Sequence, residues 1–190
     1  MSFWATSSKA RAALALGLLG LALPVSAKVF LSVDEALKTA FPGCPVEHRT
    51  AFLTPAQVQQ VKGLGGVEVP SALISYYECK DAKGPAVTAW FDTHRVRTLP
   101  ETLMIVVDPQ GKVARIEVIS FREPEEYMPR GAWYQQFLGK RLDADLQLKR
   151  GIRPVTGASL TARATTDAVR RVLALHQVLV SASARRPSDR

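Results

Sequence analysis

The residues Pro154-Val155-Thr156-Gly157-Ala158-Ser159-Leu160-Thr161 stand directly ahead of a strongly helical C-terminal segment. The Thr-Gly-Ala-Ser turn brings two hydroxyls and two small residues to the place where a helix exposes its first unpaired N–H groups. That arrangement suits an anion, and phosphate above all. Gly157 lets a ligand approach the backbone closely, Ala158 adds no bulk, and Ser159 offers a hydroxyl on an exposed turn. The plainer alternative is that Ser159 or Thr161 simply caps the helix. The residues alone leave both open.

Other side chains with chemical potential are scattered. His94, in Asp92-Thr93-His94-Arg95-Val96-Arg97, has a near-neutral titration suited to proton relay, but it reads more simply as a surface strand residue. His176 falls on an apolar stripe and reads as a buried, hydrogen-bonded histidine. Glu123, Glu125 and Glu126 suggest paired acid–base carboxylates only weakly, because a solvated loop accounts for them. Trp133 and Tyr134 suit either ring stacking or core packing. His48, His94 and His176 have no ligand-like spacing, so no metal centre is expected, and no nucleophile elbow, P-loop or dinucleotide turn is present.

The positioning elements follow from pattern. Ser32-Val33-Asp34-Glu35 is a capping box opening a short helix through about Phe41, which Pro42-Gly43 ends. Thr54-Pro55 opens a second helix that Gly63, Gly65 and Gly66 stop. Residues 72–79 and 86–96 read as neighbouring strands across a turn at 81–84. Residues 103–107 and 113–121 flank Asp108-Pro109-Gln110-Gly111 and form the clearest hairpin. A short helix over 132–138 carries Trp133 and Phe137. A long helix runs from about 161 to 181, with Val169, Val172, Leu173, His176 and Leu179 on one stripe. The expectation is an α+β domain: a four-stranded antiparallel sheet packed against the long C-terminal helix, with short N-terminal helices.

The Thr-Gly-Ala-Ser block resembles the Ser/Thr-Gly-Ala-Thr flavinylation motif of the FMN-binding domain family, which includes the flavinylated subunits of the sodium-translocating NADH:quinone reductase and of the Rnf complex. The hairpin, the Phe121-Arg122-Glu123-Pro124 loop and the run Trp133-Tyr134-Gln135-Gln136-Phe137-Leu138-Gly139-Lys140 are similar to the family's central segment. The resemblance spans about residues 102–175. It implies FMN held by Arg153, Thr156, Gly157, Ala158, Ser159, Leu160 and Thr161, with Glu123 and Trp133 beside them. It also implies a phosphoester at Ser159 made by a flavin transferase that uses FAD and a divalent metal. Two positions and one stretch depart from the family pattern. Ser159 stands where threonine is usual, Arg153 stands where aspartate is usual, and Glu125-Glu126-Tyr127 replaces a Gly-rich stretch. Arg153 leaves noncovalent FMN as the alternative to the phosphoester, and could itself pair with the phosphate.

The ends and the composition bound the setting. Lys9 and Arg11, the apolar core of residues 12–25 and the small residues Val25-Ser26-Ala27 read as a secretory signal peptide over residues 1–27, with an uncleaved N-terminal anchor as the alternative. The FMN-binding domain would then occupy 28–183, followed by a disordered basic tail over 184–190. Losing Lys9 and Arg11 lowers the formal charge from +8 to +6. Nothing resembles a nucleic-acid surface. Cys44 and Cys79 read as one structural disulfide in an oxidising compartment.

The expected protein is a periplasmic or otherwise extracytoplasmic electron carrier, membrane-associated through a membrane redox partner, with its oligomeric state unspecified. The rivals are an exported non-redox binding module and a flavin-dependent reductase with its own terminal acceptor.

Overall fold

A computed structural model describes residues 28–80 and 86–181. The signal peptide, the turn at 81–84 and the basic tail lie outside these residues. Among the described residues the sheet has six strands rather than four: β1 (Lys28–Val29), β2 (Val46–Phe52), β3 (Leu73–Cys79), β4 (Val87–Arg95), β5 (Pro100–Val107) and β6 (Val113–Phe121). All neighbours are antiparallel, in the order β1-β6-β5-β4-β3-β2. The two extra strands lie at the edges. In β2, Val-Glu-His-Arg-Thr-Ala-Phe gives no apolar alternation, because an edge strand needs little burial to pair.

The helices are α1 (Val33–Ala40), α2 (Pro55–Gly65), α3 (Gly131–Tyr134) and α4 (Ser159–His176). The capping box expected at Ser32 and Glu35 is formed, and Thr54, ahead of Pro55, forms a further one with Gln57. Gly66 closes α2 in the left-handed conformation at φ 66°. A 3-10 turn over Gln135–Phe137 continues α3, and a π-helical turn over Gln177–Ser181 continues α4.

Strand β5 is buried on both faces, which explains its unbroken apolar run. Leu103, Ile105 and Val107 meet α4 through Val169, Val172 and Leu173, with Trp133 and Phe137 in the same core. Met104 and Val106 face α1 and meet Ala36, Leu37 and Phe41. Cys44 and Cys79 are bonded, tying the segment after α1 to the end of β3. His176 is buried as expected, but neither ring nitrogen has a hydrogen-bond partner, so that part of the expectation fails. The ring lies beside Gly111 of the β5–β6 turn and feels the Asp108 charge without hydrogen bonding to it.

Candidate functional site

The block ahead of α4 forms a turn whose shape depends on Gly157, at φ 85°. A Cβ there would meet no atom within 4 Å, so conformation rather than crowding demands glycine. Ala158 occupies the N-cap position and no side chain caps the helix. The first helical bond runs from Ala162 N–H to Ala158 C=O at 2.9 Å. The N–H groups of Ser159, Leu160 and Thr161 therefore lack intrahelical partners. Neither hydroxyl supplies one. Ser159 Oγ reaches Val155 C=O at a long 3.4 Å, and Thr161 Oγ1 donates to Tyr127 C=O. The capping alternative for Ser159 and Thr161 is thereby removed.

This helix start forms one wall of a cleft of about 230 Å³. Gly157, Ala158, Ser159, Leu160 and Thr161 line one side, and Val96, Arg97 and Tyr127 line the other. The Arg97 guanidinium lies 5.0 Å from the centre of the Tyr127 ring. Two backbone supports hold these walls. One oxygen of Glu123 accepts N–H bonds from Arg97 (3.1 Å), Thr98 (2.7 Å) and Leu99 (2.7 Å), fixing the β4–β5 turn. Burial opposes ionisation of Glu123, but these donors outweigh it and hold its carboxyl below the usual range.

The second support explains why the aromatic-Gln run and the block occur together. Trp133 Nε1 donates to Arg153 C=O at 2.7 Å, and Arg153 N–H donates to Gln136 Oε1 at 2.9 Å. Residues one helical turn apart thus grip the two peptide groups that flank Arg153 and lead into the block. Trp133 also packs edge-to-face on Tyr134 and Phe137. Glu123, Trp133, Arg153 and Thr156 do not line the cleft; the first two support its walls, while the Arg153 side chain and Thr156 are exposed.

A second depression, about 250 Å³, adjoins the first through Val96 and Leu160 and includes His94, Arg163, Asp167 and Arg171. His94 is no surface residue: its side chain is 9% exposed. Its Nδ1 lies 2.9 Å from Asp92 Oδ1 and its Nε2 lies 3.0 Å from Glu101 Oε2. Burial works against the charged ring, but both carboxylates outweigh it and raise the His94 pKa to about 9. Burial also opposes ionisation of Asp92, yet His94 and Arg171 lower its pKa to about 2. Glu101 is fully buried and accepts from Tyr134 Oη and Thr165 Oγ1, each at 3.2 Å. Burial, then the adjacent Glu101, push the Tyr134 phenol up.

Arg97, Tyr127 and the His94–Glu101 pair escaped the sequence reading. For the pair alone a signal exists in strand alternation: Glu101 shares a face with Leu103 and Ile105, and His94 lies opposite it in register. A larger hollow of about 460 Å³ lies beside α1 and is lined in part by Lys38, His48 and Tyr77. It contains nothing of the block, so size does not select the site. Among the described residues no His, Cys, Asp and Glu group is suited to a metal ion. No helix among them is long and apolar enough to cross a membrane.

An open helix start facing an arginine and an aromatic ring is chemically suited to an anionic ligand with a planar part. The family model for the FMN-binding domain matches residues 99–174, from the turn held by Glu123 to the last part of α4. That segment is thus similar to the FMN-binding domain family, and the match supports a flavin-binding role with FMN as the cofactor. No curated protein and no solved structure matches the chain.

Proposed function

We propose that this protein is an exported electron carrier whose FMN lies in the cleft at the start of α4. The observation that carries this reading is the uncapped helix start, with Ser159, Leu160 and Thr161 N–H groups free and Arg97 opposite. Free N–H groups and the helix dipole favour the phosphate. Arg97 adds a charge-assisted partner, and Tyr127 an apolar face. When bound, the flavin supplies the redox chemistry, while the chain sets its position and access.

Ser159 is the proposed covalent anchor. It is exposed at the first helical position, and its hydroxyl is held only weakly. In attachment, Ser159 Oγ bonds to the FMN-side phosphorus of FAD, the pyrophosphate P–O bond breaks, AMP leaves and the hydroxyl proton passes to solvent. A flavin transferase carries this out. Noncovalent FMN in the same cleft is the second reading, favoured by Arg153 in place of the family's aspartate.

The remaining parts of the proposal rest on the sequence. They are cleavage after residue 27, an extracytoplasmic location and a membrane redox partner. Protein secreted by cells that contain the transferase should carry flavin, and its mature N-terminus should be Lys28. Colourless protein that also fails to take up added FMN would overturn the proposal.

A further inference from the structure

Four elements meet at one buried imidazole. His94 and Asp92 come from β4, Glu101 from β5, Tyr134 from α3, and Thr165 and Arg171 from α4. Asp92 has a second cation, because Arg171 Nε and one terminal nitrogen bond both its oxygens at 2.8 and 2.9 Å. Glu101, with no exposed surface, takes neutral hydroxyls from Tyr134 and Thr165 and one ring nitrogen of His94. Among the described residues the imidazole is thus the one cationic partner Glu101 has. Asp167 and Arg163 of α4 face the same depression, with Arg95 at its rim.

Only the charged ring carries N–H on both nitrogens and can serve both carboxylates. A neutral ring serves one, and the other then faces a lone pair across about 3 Å in a buried setting, a costly arrangement. The affected atoms are close in sequence to the cleft. Val96, two residues after His94, lines both depressions with Leu160, and Thr165 lies on the same helix as Ser159.

We propose that His94 is a positioning residue for the cleft: its protonated ring, bridging Asp92 and Glu101, holds the start of α4 in place against the β4–β5 turn. This rests on the reading in which that cleft takes FMN, but the positioning itself does not require flavin. The His94 ring hydrogen-bonds to Asp92 and Glu101 rather than to the block, and acts through Glu101, Thr165 and Val96.

The test is a pH titration of the full chain by nitrogen-15 NMR. It follows the His94 ring nitrogens together with the amides of Arg97 and Ser159. The expected result is that both amides shift with the midpoint of His94, and that these shifts vanish in His94→Gln. At neutral pH, His94→Gln should also bind added FMN about tenfold more weakly than the unaltered chain. Amides that stay fixed while His94 titrates would overturn the proposal, and so would the same amide titration in His94→Gln. If His94→Gln does not fold, the titration of the unaltered chain decides alone. Lack of FMN binding by the unaltered chain would overturn the flavin reading, while the amides still decide whether His94 positions the cleft.

Discussion

Glu123 and Arg97 are joined through the backbone: a single Glu123 carboxylate oxygen accepts the Arg97 N–H at 3.1 Å and the next two N–H groups at 2.7 Å. A residue that does not itself line the cleft therefore fixes the arginine that does. Glu123→Ala should destabilise the fold by about 2–4 kcal/mol, given the strength of hydrogen bonds to charged acceptors. It should also weaken FMN binding. Arg97→Ala should weaken FMN binding with a stability change under about 1 kcal/mol, since the Arg97 side chain is exposed. Because the folded Glu123 carboxyl titrates below its ordinary 4.5, its contribution is present above that pH and is lost as pH falls through the folded value. Urea midpoints at neutral and acid pH, with fluorescence titration of FMN, check all of this.

Two histidines should shape stability in opposite directions. His94, raised from 6.5 to about 9, stabilises fully below 6.5, and its contribution is lost as pH rises through about 9. Asp92, lowered from 3.8 to about 2, contributes above 3.8 and is lost as pH falls through about 2. His176 is depressed by burial, so the unfolded chain takes up its proton first and stability falls as pH drops below 6.5. His94→Gln should flatten the alkaline limb of the urea midpoint profile. His176→Leu should flatten the slope below 6.5 and stabilise by about 1–2 kcal/mol, because an unpaired buried polar group is replaced by an apolar one.

The Cys44–Cys79 bond closes a separation of 35 residues. Paired substitution of both cysteines by alanine should cost about 3–4 kcal/mol in the chain-entropy picture. The bond lies at the far end of β3 from the β3–α2 connection, among residues that contact α1, so FMN affinity should change little. A large loss of affinity in a still-folded variant would contradict the placement of the cofactor at α4.

Thr161 and Ser159 are two residues apart and should behave differently. Thr161 is fully buried and its hydroxyl ties α4 to the Tyr127 carbonyl. Thr161→Ala should destabilise by about 1–2 kcal/mol, and Thr161→Ser should recover most of that. Neither should prevent flavin attachment, as mass spectrometry of the intact variants would show.

Local signals made much of this fold legible. The capping box at Ser32, the Thr54-Pro55 helix start, the Asp108–Gly111 turn and the stripe from Val169 to Leu173 specified their elements without tertiary help. Strand β2 was not legible, because pairing with β3 rather than an apolar pattern makes it a strand. The block at Thr156–Thr161 was legible because glycine and hydroxyl residues precede a periodic helix. The facing wall was not. Arg97 and Tyr127 are distant in sequence and meet only because Glu123 folds one turn back. His94 was misread as a surface residue because its partners, Glu101 and Arg171, come from other elements.

The central claim, FMN fixed at Ser159, is tested most directly by intact mass of protein secreted in the presence of the transferase, after acid precipitation. The account predicts a yellow pellet and a mass increase equal to FMN less one water, with the adduct mapped to the peptide containing Ser159 and absent in Ser159→Ala. An unmodified mass and a colourless pellet, or an adduct that survives Ser159→Ala, would contradict it.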